Sequence, residues 1–271
     1  MSDASDSPAA STPPQAAGLD ADLEAALTRL ASTERLVVAL DFDGVLAPIV
    51  SRPEDARALP ASKEAVLRLA ALPDTTVGMI SGRSLESLDH VAQMPDDTML
   101  IGSHGVEVRL DGTTRLALDD VEKQRVVELK RLLDEAVSGY DGVWVEGKPA
   151  GFAVHTRGAT PEVGDAAEAS AQQAVGALEG LTVREGKKVV EFSVKSTSKG
   201  DGVDLLREHT AATAVMFAGD DVTDEDGFAA LGSDDLGLKV GPGETRARYR
   251  VADPEGVAAV LGRLADLRSA R

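Results

Sequence analysis

Apolar residues along this chain fall into two rhythms. Leu36-Val37-Val38-Ala39-Leu40 is apolar throughout, which predicts a strand over 36–41 buried on both faces. Similar short runs predict strands at 76–80, 98–101, 214–218 and 236–240. Leu19, Leu23, Leu27 and Leu30 recur at helical spacing, and further helices are expected over 62–72, 199–209 and 254–268. Alternating strands and helices imply a parallel sheet. The rhythm changes near residue 106. Val106 to Leu110, then Asp111-Gly112 and a short return strand, read as a hairpin. A helix at 118–137, strands at 143–147 and 151–156, a helix at 161–178 and a strand pair across 181–194 follow. The fold class expected is α/β: a parallel-sheet core built from 19–107 and 196–271, with an inserted α+β domain over 108–195. Residues 1–18 are rich in Ser, Ala, Pro and Asp and are expected to be disordered.

Composition narrows the class. With 271 residues, 43% hydrophobic and 27% charged, the chain reads as soluble and globular with room for two domains. The absence of cysteine excludes disulfides, thiolate metal sites and cysteine nucleophiles. No window suits a membrane span and no basic start leads into an apolar stretch. A cytoplasmic protein, monomeric and without a membrane partner, is therefore expected. A net charge of −18 argues against nucleic acid as a partner. It also means that an anionic substrate needs local cations. Only −3 of that charge falls within 108–195, so the insert is the less repulsive surface.

Candidate chemistry sits where the apolar runs end. Asp41-Phe42-Asp43-Gly44 follows the first strand, although Asp is disfavoured in strands. Two carboxylates spaced by two on an extended segment point the same way, so one can attack a substrate while the other handles a proton. Ser81-Gly82-Arg83 follows the strand at 76–80. A hydroxyl and backbone N–H groups at a helix start can cradle phosphate oxygens, while alone the triplet also describes an ordinary helix cap. Lys199 opens a helix, where a cation opposes the dipole unless an anion lies nearby. Asp220, Asp221, Asp224, Glu225 and Asp226 crowd the end of the strand at 214–218. Alone they suit an acidic turn, but carboxylates without His or Cys also suit Mg²⁺.

Together, D-x-D-G, S-G-R, K-G and G-D-D-x-x-D in this order resemble the haloacid dehalogenase superfamily. The closer resemblance is to trehalose-6-phosphate phosphatases. It is carried by 41–49 and by Ile101-Gly102-Ser103-His104-Gly105-Val106-Glu107. It is carried too by Glu146-Gly147-Lys148 with His155, and by Val189-Val190-Glu191 before Ser198-Lys199-Gly200. The resemblance implies a haloacid-dehalogenase-like core with an inserted cap. It implies hydrolysis of trehalose 6-phosphate, a small-molecule substrate, through an aspartyl-phosphate on Asp41; the alternatives are a related capped phosphatase for sucrose 6-phosphate or mannosyl-3-phosphoglycerate, or a non-catalytic sugar-phosphate sensor. Asp43 would be the acid and base, and Ser81 and Lys199 would hold the phosphate. Mg²⁺ would be held by Asp41, the Asp43 carbonyl, Asp220 and Asp224. Gly82, Arg83, His104, Glu146, Lys148, His155 and Glu191 are the expected substrate contacts. Two departures stand out: Val45 replaces a threonine, and Ser193-Val194 stand near where the family often has arginine-proline.

Overall fold

A computed structural model describes residues 19–271. The stretch expected to be disordered, 1–18, lies outside the described residues. Elements are numbered in chain order. The core strands are β1 (Leu36–Leu40), β2 (Thr75–Ile80), β3 (Met99–Gly102), β4 (Glu107–Leu110), β5 (Thr113–Leu116), β10 (Ala214–Gly219), β11 (Leu236–Val240) and β12 (Tyr249–Val251). They form one sheet in the order β12-β11-β10-β1-β2-β3-β4-β5. Pairing is parallel from β12 through β3, and β4 and β5 run antiparallel at the edge.

β1 is fully buried because it has helices on both sides. Leu36, Val38 and Leu40 face a cluster with α1 (Ala21–Ala31), α2 (Pro60–Ala70), α3 (Leu85–Ala92) and α8 (Pro254–Ser269). Val37 and Ala39 face α6 (Lys199–Thr210) and α7 (Asp224–Ala229). The period-2 alternation of side chains thus feeds two cores from one apolar run.

The second sheet contains β6 (Trp144–Lys148), β7 (Gly151–His155), β8 (Thr182–Gly186) and β9 (Val189–Ser193), in the order β6-β7-β9-β8. Phe152, Val154, Val190 and Phe192 point into a third cluster with Leu129 and Leu133 of α4 (Asp120–Val137) and Ala171 and Val175 of α5 (Pro161–Val175). The opposite face carries Glu146, Lys148, Arg184 and Glu191 around the buried Ala153.

The hairpin assigned from the sequence to the insert belongs to the core. β4 pairs with β3 through Leu100↔Arg109, Ile101↔Val108 and Gly102↔Glu107, and Val108 and Leu110 are buried with Val203 and Leu206 of α6. β4 and β5 thus extend the eight-stranded sheet, while α4, which Asp119 caps, packs on the second sheet. Among the described residues no helix is long and apolar enough to cross a membrane.

Candidate active site

Because β1, β2 and β10 are parallel neighbours, Asp41, Ser81 and Asp220 emerge at one edge of the sheet. That edge, beyond the carboxyl ends of the strands, is where open α/β sheets bind ligands. The turns there depend on glycine. Gly44 has φ +72°, and a Cβ on it would lie 2.1 Å from Asp220 Oδ2. A Cβ on Gly219 would lie 2.3 Å from Asp224 Cγ. Neither carboxylate could keep its place beside a larger residue.

Asp41 is buried at 5% exposure. Its Oδ1 accepts the Phe42 N–H at 2.6 Å, and its Oδ2 accepts from Lys199 Nζ at 2.7 Å. The same ammonium donates to Asp224 Oδ1 at 2.6 Å. The helix-start cation thus meets its anions within the chain, as two buried carboxylates. Ser198 and Asp201 form a capping box that fixes the first turn of α6 and so aims Lys199. The other oxygen of Asp224 accepts the N–H groups of Asp220 and Asp221 at 2.9 and 2.8 Å. Asp224 therefore holds both the lysine and the backbone of the 220–221 turn.

One oxygen each from Asp41, Asp220 and Asp224 lies within 4.8 Å of the others. Burial pushes Asp41 up to about 7, with Lys199 opposing and Asp224 adding. Burial and then Asp224 push Asp220 up to about 6. Burial disfavours the charged form of Lys199, but Asp41 and Asp224 outweigh it and raise its pKa. Among the described residues the Asp220 carboxylate accepts no hydrogen bond. A carboxylate held beside two others without a donor of its own suits a hard divalent cation with oxygen ligands.

Asp43 stands outside that triangle. Its carboxylate takes a bidentate pair from Arg83, Nε–Oδ2 at 2.5 Å and Nη2–Oδ1 at 2.7 Å. Arg83 also donates to Ser87 Oγ and the Pro53 carbonyl. The arginine expected to touch substrate is thus committed to the second aspartate. Ser81 is buried and its Oγ accepts the Arg83 N–H at 3.2 Å. Val45, where the family usually has threonine, is fully buried in the core.

His104 has φ 54° and rests on Gly82, where a Cβ would lie 2.7 Å from His104 Cε1. Burial, then Lys199 and Arg184, hold its pKa below the ordinary histidine value. It lines a cavity of about 80 Å³ together with Glu191, Arg184, Lys195 and Thr197, which joins the core edge to the second sheet. Glu146, Lys148 and His155 form a separate set: Glu146 accepts from Lys148 Nζ at 2.8 Å and meets His155 Nε2 at 2.6 Å. Their hydrogen bonds stay within the second sheet, and among the described residues none reaches Asp41, Asp43 or Lys199. Cross-strand register still puts Glu146 and Glu191 on one face, both opposite Ala153. A larger cavity, about 620 Å³ beside α1 and β11, contains none of the expected site residues.

Two residues of the site escaped the sequence reading. Lys239 is buried in β11, donates to the Asp220 carbonyl and so pins the turn that carries Asp220. Its signal was a lone charge between Leu238 and Val240. Arg184 required the β8–β9 register before it could be placed opposite Glu191.

The family sequence model described as Trehalose-phosphatase matches residues 39–255. The bifunctional trehalose-6-phosphate synthase/phosphatase of Thermoproteus tenax is 33% identical over 86% of this chain, which spans 32% of that protein's length. The trehalose-6-phosphate phosphatase of Escherichia coli is 32% identical over 78% of this chain and 80% of that protein. Among solved structures, Aspergillus fumigatus trehalose-6-phosphate phosphatase superposes with a TM-score of 0.67 at 25% identity, over 92% of this chain and 98% of that one. The match by family begins in the strand that delivers Asp41 and ends at the start of α8, so the carboxylate edge and the inserted sheet both fall within it, and the chain belongs to the trehalose-phosphatase family.

Proposed function

We propose that this protein hydrolyses trehalose 6-phosphate to trehalose and inorganic phosphate, with Mg²⁺, through a phosphorylated Asp41. The observation that carries the reading is the buried Asp41–Lys199–Asp224 cluster at the ligand-binding edge of a trehalose-phosphatase-family chain. Lys199 and the Phe42 N–H hold the Asp41 carboxylate in one orientation, which lowers the entropy cost of attack. An Asp41 oxygen bonds to phosphorus as the bond from phosphorus to the sugar oxygen breaks. Asp43 supplies the proton to that leaving oxygen, then takes one from the water that attacks the aspartyl-phosphate. Ser81 and Lys199 stabilise the phosphoryl oxygens. Asp41, the Asp43 carbonyl and Asp220 would hold Mg²⁺, with Asp224 joining or supporting them, and the ion supplies the neutralisation that lets a carboxylate meet an anionic phosphate. Glu146, Lys148, His155 and Glu191 offer the charged acceptors and donors that sugar hydroxyls need.

Phosphate release from trehalose 6-phosphate, sucrose 6-phosphate and glucose 6-phosphate tests this. A polar site built for one sugar rejects a mismatched one strongly, so kcat/KM for trehalose 6-phosphate should exceed the others by about 100-fold. Equal or better turnover of sucrose 6-phosphate would refute the substrate assignment.

A further inference from the structure

Ser193 follows Glu191 on the same face of β9. Its hydroxyl is already engaged, because it donates to the Lys195 carbonyl at 2.8 Å and accepts the Lys195 N–H. Ser198 is equally committed, as the cap of α6. Lys195 points to α4 and pairs with Glu122 at 3.4 Å. Arg184 lines the cavity between the second sheet and His104, and among the described residues it has no ion-pair partner. It lies directly opposite Glu191 across the β8–β9 pair, on the face turned away from α4 and α5. Its charge also contributes, after burial and Lys199, to the lowered pKa of His104.

We infer that Arg184, unpaired among the described residues and opposite Glu191, binds the sugar hydroxyls of the substrate. A guanidinium presents parallel N–H donors in a fixed fork. Glu191 beside it supplies acceptor oxygens. Paired donors and acceptors one strand apart match neighbouring hydroxyls on a pyranose ring, each of which both donates and accepts. Arg184 is thereby a specificity-determining residue, and the inference rests on the trehalose 6-phosphate reading.

The test is the ratio of kcat/KM for trehalose 6-phosphate to that for p-nitrophenyl phosphate, which has no sugar. Losing charged hydrogen bonds should lower this ratio about 10- to 100-fold in Arg184→Ala. The loss should lie mainly in KM. Adding Ser193→Arg to Arg184→Ala returns a guanidinium to the same face from β9, and should recover at least about five-fold of the ratio. Thermal melts of both variants establish that they are folded. If the wild type prefers trehalose 6-phosphate and Arg184→Ala keeps that preference within about two-fold, the assignment of Arg184 fails alone. A loss that Ser193→Arg does not recover would assign the effect to the sheet and also overturn it. A wild type with no such preference would sink the substrate reading and this inference with it.

Discussion

Replacing Asp220 with Asn isolates the electrostatic cost of a carboxylate kept for a cation. Burial, followed by the Asp224 charge, raises Asp220 from 3.8 to about 6. A gap of roughly two units is worth about 3 kcal/mol between protonation states. The side chain is only half-buried, so solvent screening reduces this to roughly 1–2 kcal/mol. With a raised carboxylate pKa, the folded protein keeps a proton that the unfolded chain has already released. The cost is therefore absent below about pH 4, grows between about pH 4 and 6, and is complete by about pH 7. Asn carries no charge across that range. Metal-free Asp220→Asn should melt about 3–6 °C above wild type at about pH 7.5, and within about 1 °C of it at about pH 4. Mg²⁺ should reverse the order, since it stabilises the protein that binds it. Scanning fluorimetry in EDTA and in Mg²⁺, at both pH values, reads all four states. A metal-free variant less stable than wild type at the higher pH, or the same Mg²⁺ shift in both proteins, would refute the reasoning.

Lys199→Met should be harmful in the opposite sense. It leaves Asp41 and Asp224 buried without their cation, and breaking one side of a buried pair costs about 3–5 kcal/mol. Urea unfolding measures this, and a loss below about 1 kcal/mol would mean that the three charges are not coupled. Arg83→Ala should lower kcat about 10- to 100-fold while KM stays within about three-fold, because the guanidinium orients Asp43 rather than the sugar. Steady-state kinetics that show a large KM change with kcat intact would place Arg83 on the substrate instead.

The parts of the fold that could be read in advance were those whose cause is local. β1, β10 and β11 are short apolar runs, and the chemistry stands at their ends or in the turns that follow. The helix start implied at Ser81-Gly82-Arg83 is α3, but its cap is Ser84 rather than Ser81, and α7 has no signal in the apolar pattern. α7 has only six residues, Asp-Glu-Asp-Gly-Phe-Ala, a composition that reads as a turn until the helix dipole is credited with favouring acids in its first turn. β12 has three residues and pairs only at the sheet's edge. The hairpin was recognised as a hairpin but assigned to the wrong unit. Its allegiance depends on pairing with β3 and on burial against α6, neither of which leaves a mark in its own sequence. The same limit explains the site. Asp41, Ser81, Lys199, Asp220 and Asp224 announce themselves by position after strands or at a helix start. The Arg83–Asp43 pair and the place of Arg184 opposite Glu191 follow from three-dimensional register alone.

The central claim is that Asp41 carries the phosphoryl group. Acid quenching within the first turnover on trehalose 6-phosphate, followed by mass spectrometry of the peptide that contains Asp41, tests it most directly. The account predicts phosphate on Asp41 in the wild type with Mg²⁺, and none in Asp41→Asn or in EDTA. Rapid phosphate release by Asp41→Asn, or a trapped phosphoryl group on another residue, would contradict it.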